Sequence, residues 1–191
     1  MIEPGLTSFA AIILAGGQAT RLGGADKASI EVHGRTLLEH ALDAVIDASE
    51  VVVVGHSVPT ERPVTFVVED PQYGGPVAGL LTGRDALLRS FPTLAVLAVD
   101  MPFLTAATLR RLQDAAVDHD GAVLADPDGR RQLAFVVASA ALDRVRPDHE
   151  AQHGHALWPM LDQLDVVVVP AHAREHRDVD TWTDLRDLAD D

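Results

Sequence analysis

Short, continuous apolar runs alternate along this chain with stretches of helical spacing, and that alternation limits the possible folds severely. The runs fall at residues 9–14, 51–54, 94–99, 122–125 and 166–169. An apolar run of four to eight residues bounded by turn signals reads as a buried strand. Residues 65–68, closed by Glu69-Asp70-Pro71, and 132–137, beside the turn Asp126-Pro127-Asp128-Gly129, read as further strands. Helical spacing appears at 36–48, where Leu37, Leu38, Ala41, Leu42, Val45 and Ile46 recur on one face behind Thr36 as a cap. It appears again at 77–89, after Gly74-Gly75-Pro76, and at 105–117 behind Thr105. Shorter helices are predicted at 140–145 and 181–188. Strands alternating with helices imply an α/β fold, a three-layer sandwich around a mostly parallel sheet with right-handed crossovers. No repeat or linker divides the chain, so residues 1–191 are predicted to form one domain.

The first strand runs directly into Leu14-Ala15-Gly16-Gly17-Gln18-Ala19-Thr20-Arg21-Leu22-Gly23-Gly24-Ala25-Asp26-Lys27. Lys27 is the sole lysine among 15 basic residues, so the one ammonium falls at the end of the one long glycine-rich loop. Glycines allow a backbone to approach phosphates closely, and N–H groups with nearby cations then hold the charge. The loop fits neither standard phosphate fingerprint. Lys27 is followed by Ala28 where a P-loop needs Ser or Thr, and Gly16 and Gly17 are adjacent where the dinucleotide pattern spaces its glycines. The bland alternative is a glycine-rich turn with a solvated Arg and Lys, but the position after the first strand favours a nucleotide.

Composition narrows the function. The formal net charge of −14 disfavours nucleic acid, which is normally met by a basic face. An acidic chain that binds a triphosphate needs backbone donors, a few cations and a divalent metal. With no cysteine, disulfides and thiolate metal sites are excluded. No apolar run approaches the 18 residues of a membrane span, and the first residues lack the basic cluster of a signal peptide. A cytoplasmic setting, without membrane contact, is the expectation.

In open sheets of this kind ligands sit beyond the carboxyl ends of the strands. Asp100, directly after the run at 94–99, stands where a carboxylate could hold Mg²⁺ against phosphate oxygens. Alone it reads equally well as a turn residue before a helix. Opposite a phosphate loop, the metal reading is preferred.

Three motifs occur in order: Leu-Ala-Gly-Gly-x-x-x-Arg-x-Gly-Gly-x-Asp-Lys at 14–27, Glu69-Asp70-Pro71 before Gly75-Pro76-Val77-Ala78-Gly79, and Val99-Asp100-Met101-Pro102. Together they resemble the molybdenum cofactor guanylyltransferases, within the wider nucleotidyltransferase superfamily. The resemblance covers essentially the whole chain and implies the Rossmann-like sheet of nucleotide-diphospho-sugar transferases. It implies that GMP passes from GTP to the phosphate of molybdopterin, with release of pyrophosphate, dependence on Mg²⁺ and no covalent enzyme intermediate. Proteins that insert molybdenum or mature molybdoenzymes are then the implied partners. By the same resemblance Leu14, Ala15 and Gly16 hold the nucleotide, Lys27 neutralises its phosphates, Asp70 helps to hold the nucleoside and Asp100 ligates the metal. Gly17 and the turn containing Gly75, Pro76 and Gly79 favour GTP over CTP. Arg21 is added as a charge partner for the leaving pyrophosphate.

Near its end the chain departs from that pattern. The guanylyltransferases resembled here read Asn-x-Asn-Thr-Pro, whereas this chain has Asp178-Val179-Asp180-Thr181-Trp182. Asp178 or Asp180 then offers a second metal ligand, or the segment simply ends a strand and caps the last helix through Asp180 or Thr181. His149, His153 and His155 lie in a turn-like stretch that suits an acceptor-binding loop better than a zinc site, with plain solvated loop as the default. Trp158 and Trp182 read as packing residues in preference to stacking platforms, with a pterin ring as the alternative either could face. The alternatives to the guanylyltransferase are a cytidylyltransferase, or another nucleotidyltransferase with a different phosphorylated acceptor, and a non-catalytic GTP-binding accessory protein. Retention of Lys27, Arg21 and Asp100 argues against the last.

Overall fold

A computed structural model describes residues 8–16 and 26–189. In chain order its strands are β1 (Phe9–Leu14), β2 (Glu31–Val32), β3 (Arg35–Thr36), β4 (Glu50–Val54), β5 (Thr65–Val67), β6 (Thr93–Ala98), β7 (Gly121–Ala125), β8 (Arg131–Ala138) and β9 (Val166–Pro170). The helices are α1 (Leu37–Ala44), α2 (Pro76–Asp85), α3 (Ala106–Ala115), α4 (Ser139–Val145), α5 (Leu157–Leu161) and α6 (Trp182–Ala189). Among the described residues seven strands form one sheet in the order β5-β4-β1-β6-β8-β7-β9. The pairs β4/β5, β1/β4, β1/β6 and β7/β9 are parallel, while β8 runs antiparallel to both β6 and β7. The sheet is therefore mostly parallel, as the alternation of apolar runs and helical stretches predicts.

Alternate residues of each central strand feed two separate cores, because successive strand side chains point to opposite faces. Phe9, Ala11 and Ile13 pack with Leu37, Leu38 and Leu42 of α1 and with Leu109 and Leu112 of α3. Ala10 and Ile12 pack with Val77, Leu80 and Leu81 of α2, Leu142 of α4 and Met160 of α5. Sheet and helices thus form three layers. The α2 face is tight: a Cβ on Gly83 would lie 2.5 Å from Ile12 Cγ2 and 3.0 Å from Val54 Cγ2. No helix among the described residues is long and apolar enough to cross a membrane.

Several helices end earlier than their apolar spacing suggests, and other groups account for it. α1 stops at Ala44 rather than 48, and the Arg62 guanidinium donates to the freed carbonyls of Val45 (2.9 Å) and Ala48 (2.6 Å). α2 stops at Asp85 rather than 89, where the Leu88 N–H turns to Glu50 Oε1 at 2.6 Å. The starts follow the sequence closely. Thr36 with Glu39, and Thr105 with Thr108, form reciprocal caps. The β2/β3 hairpin has no counterpart among the predicted elements. Its His33-Gly34 turn adopts positive φ at both residues, the backbone a two-residue hairpin turn requires. α5 is also additional, and its Trp158 packs against the α2-side core beneath the Arg131 guanidinium, 4.8 Å from the ring centroid. Trp182, in contrast, is 50% exposed.

Candidate active site

The connection after β1 leads to β4 on one side of the sheet, while β6 lies on the other. The carboxyl ends of β1 and β6 thus flank the point where strand order reverses, the usual ligand crevice of open α/β sheets. Ladder hydrogen bonds continue past the strand ends here. Ala15 N–H donates to Val54 O (2.8 Å), Val99 N–H to Leu14 O (3.0 Å) and Gly55 N–H to Val67 O (2.8 Å). This rigid floor carries a cleft of about 450 Å³.

Lys27 enters the cleft from a single 3-10 turn, residues Lys27–Ser29. Asp26 caps that turn by accepting from Ala28 N–H at 3.1 Å, and the buried Ala28 and Ile30 anchor it in the core. Lys27 Nζ donates to Asp100 Oδ2 at 2.8 Å and to Asp180 Oδ1 at 2.7 Å. Asp100 stands just beyond Val99 at the end of β6. Asp180 arrives from far along the chain, held by its neighbours: Val179 is fully buried, and its N–H donates to Asp100 O at 2.9 Å. Thr181 caps α6, exchanging hydrogen bonds with Asp184, so Asp180 is left to face Lys27.

Burial opposes the Lys27 charge, but Asp100 and then Asp180 outweigh it, and the ammonium is held above its usual pKa. Loss of water around the Asp178 carboxyl, with the charges of Asp180 and Asp100, pushes that carboxyl above the usual range although the residue is exposed overall. Two carboxylates therefore share one ammonium, with the Asp178 carboxyl feeling both of them, and negative charge is in excess.

The opposite wall is the start of α2. Gly75 takes φ +88°, which an L side chain adopts only with strain, and so turns the chain into Pro76 at the first helical position. Gly75, Pro76 and Gly79 line the cleft, as do Leu14, Gly16, Lys27 and Asp100. Ala15 sits beneath, nearly buried. Gly17 and Arg21 lie outside the described residues. Asp70 does not line the cleft. Its side chain is 78% exposed, and its Oδ2 is 3.4 Å from His149 Nε2. Glu69 lines the cleft instead, with Val54, Tyr73 and Leu133. Glu69 stands in the second motif without an assigned role there, and Val54, Tyr73 and Leu133 lie outside the motifs. Their only sequence signal is their place near strand ends and in the turn before α2.

The histidine-bearing stretch is tied to the same turn, since Gly154 N–H donates to Gly74 O at 2.8 Å. Among the described residues no group of three or more His, Asp or Glu side chains converges closely enough to form a metal cage by itself.

The model of one family, described as the MobA-like NTP transferase domain, matches residues 11–176. The chain belongs to that family. The match of this MobA-like transferase begins in β1 and includes the glycine loop, α2 and Asp100. A molybdenum cofactor guanylyltransferase of Mesorhizobium japonicum is 35% identical over 137 residues, covering 68% of this chain and 66% of that relative. A probable molybdenum cofactor guanylyltransferase of Natronomonas pharaonis is 29% identical over 194 residues, covering 91% and 93%. The molybdopterin-guanine dinucleotide biosynthesis protein A of Archaeoglobus fulgidus superposes with a TM-score of 0.71 at 21% identity, over 95% of this chain and 97% of that one. At that identity the superposition speaks for the fold alone.

Proposed function

We propose that this MobA-like transferase moves GMP from GTP to the phosphate of molybdopterin and releases pyrophosphate. The observation that carries the reading is the meeting of Lys27, Asp100 and Asp180 at the β6 end of the cleft, opposite the α2 turn. The names of the curated relatives support the choice of nucleotide and acceptor.

In this reaction an acceptor phosphate oxygen forms a bond to the α-phosphorus of GTP. The bond from that phosphorus to the bridging oxygen breaks, and its electron pair leaves with pyrophosphate. No enzyme nucleophile is needed, so the residues act by positioning and charge. Lys27 places its ammonium against the phosphates. Gly16 and the α2 turn let the nucleotide lie close to the backbone. Arg21, in the glycine loop, serves the leaving pyrophosphate.

The donor set suits a hard dication, being all carboxylate oxygen, and burial together with the charges of Asp180 and Asp100 holds the Asp178 carboxyl above its usual range. Magnesium is commonly held by one or two carboxylates together with substrate phosphates, which matches a site without a complete protein cage. Asp100 and Asp180 would hold it, with Asp178 beside them. When bound, it supplies neutralisation of the charge that develops on the phosphoryl oxygens. Proteins that load molybdenum or mature molybdoenzymes would supply the acceptor and take the product.

The test is pyrophosphate release with Mg²⁺ and molybdenum-loaded molybdopterin, offering GTP and CTP separately. Release with GTP alone supports the reading. Release with CTP overturns the choice of nucleotide, and tight GTP binding without release overturns the acceptor.

A further inference from the structure

Glu69 is a carboxylate inside the cleft of an enzyme that takes a polyanionic substrate. Among the described residues its side chain makes no hydrogen bond or ion pair, in contrast to Asp100 and Asp180, which share Lys27. It follows β5, and β4 and β1 separate β5 from β6, so it enters the cleft from the side away from Asp100. There it reaches over Gly79: a Cβ on that glycine would lie 3.6 Å from Glu69 Oε2, 3.3 Å from Leu14 Cδ2 and 3.8 Å from Val54 Cγ1. Glu69 therefore shares the space over Gly79 with the apolar Leu14 and Val54 side chains, and Tyr73 also lines the cleft with 60% of its surface exposed.

An uncompensated carboxylate in such a place would repel phosphate, but it suits a ligand edge that carries N–H donors. A carboxylate accepts two parallel donors at once. Guanine offers that pair, N1–H beside its 2-amino group. Cytosine offers its 4-amino group next to the acceptor N3, which a carboxylate would oppose. We infer that Glu69 reads the guanine base, accepting from N1–H and the 2-amino group while Leu14 and Val54 line the space beside it. The phosphates then extend across β1 toward Lys27. This inference rests on the proposal that GTP is the donor nucleotide, and it names the residue that makes the choice.

The test compares equilibrium binding of GTP, inosine triphosphate and xanthosine triphosphate to the wild-type protein and to Glu69→Gln, with thermal melting as a check on folding. Inosine lacks the 2-amino group, and xanthine carries a carbonyl there. The wild type is expected to bind GTP about tenfold or more tightly over inosine triphosphate, the scale of one hydrogen bond to a charged group. Glu69→Gln is expected to bring that ratio close to one and to raise the xanthosine nucleotide relative to GTP, because its amide donates to the carbonyl. A purely structural Glu69 would weaken all three nucleotides alike. That result, or an unchanged GTP-to-inosine ratio in the variant, overturns the inference while leaving the GTP reaction standing. Wild-type protein that binds CTP and not GTP overturns both.

Discussion

Lys27 and Asp180, 153 positions apart in the chain, meet through a hydrogen bond of 2.7 Å between Nζ and Oδ1. Their meeting depends on Val179, which is buried and bonded to the Asp100 carbonyl, so that the last acidic segment docks on the end of the strand that carries Asp100. One ammonium thus joins the glycine loop, a central strand and the C-terminal helix cap.

Lys27→Met should lower the rate of pyrophosphate release by roughly 10²- to 10³-fold, the scale of losing one preorganised electrostatic donor. Its side-chain hydrogen bonds go to Asp100 and Asp180, and the turn is anchored by Ala28, so the fold should persist. Steady-state kinetics beside a melting curve separate the two effects. Turnover at the wild-type rate would remove Lys27 from the mechanism.

Asp100→Asn should raise the Mg²⁺ concentration needed for half-maximal activity, and Asp180→Asn should do so less strongly. Asp100 is 19% exposed at its side chain and Asp180 47%, so water shields the second charge more. Metal titrations of the initial rate give the comparison. Equal metal requirements in both variants and the wild type would separate these carboxylates from the ion.

Glu175→Gln should destabilise the protein by about 2 kcal/mol at neutral pH, since a partly buried Arg111 and the buried Thr108 hydroxyl lose a charged partner. Burial works against the Glu175 charge, but Arg111, Thr108 and the His172 N–H overcome it and hold the carboxyl below its usual range. A lowered carboxyl contributes stability that is present above its unfolded pKa, about 4.3, and lost as pH falls through the lower folded value. Melting temperatures of wild type and variant should therefore differ at pH 7 and converge well below pH 4. A gap that persists in strong acid would contradict this.

Gly83→Ala should cost about 1–3 kcal/mol, the usual range for overpacking a well-filled core. The added methyl would press on Ile12 and Val54, β-branched residues in central strands that have little room to yield. Denaturant unfolding should show a lower midpoint with an unchanged slope. An unchanged midpoint would mean that α2 can shift off the sheet at no cost.

The layers of the fold and the approach of Lys27 and Asp100 to one cleft were legible in local residue order. Continuous apolar runs mark strands buried in a sheet, Thr36 and Thr105 mark helix starts, and the turn at Lys27 carries the ammonium to the cleft. Each of these signals acts within a few residues of itself. Helix ends were less legible, because Arg62 and Glu50, distant in sequence, receive the groups that α1 and α2 leave free.

What the sequence alone determined is an α/β chain with Lys27 at the end of the loop that follows one buried strand and Asp100 just after another, since both follow from local spacing and backbone chemistry. Tertiary structure decided that β8 runs backward between β6 and β7, that Asp180 turns to Lys27 while Thr181 caps the helix, and that Glu69 rather than Asp70 faces the cleft. Adjacent acidic residues are equivalent in a sequence. Only the pairing of β5 with β4, and the docking of Val179 against Asp100, fix which of them points inward.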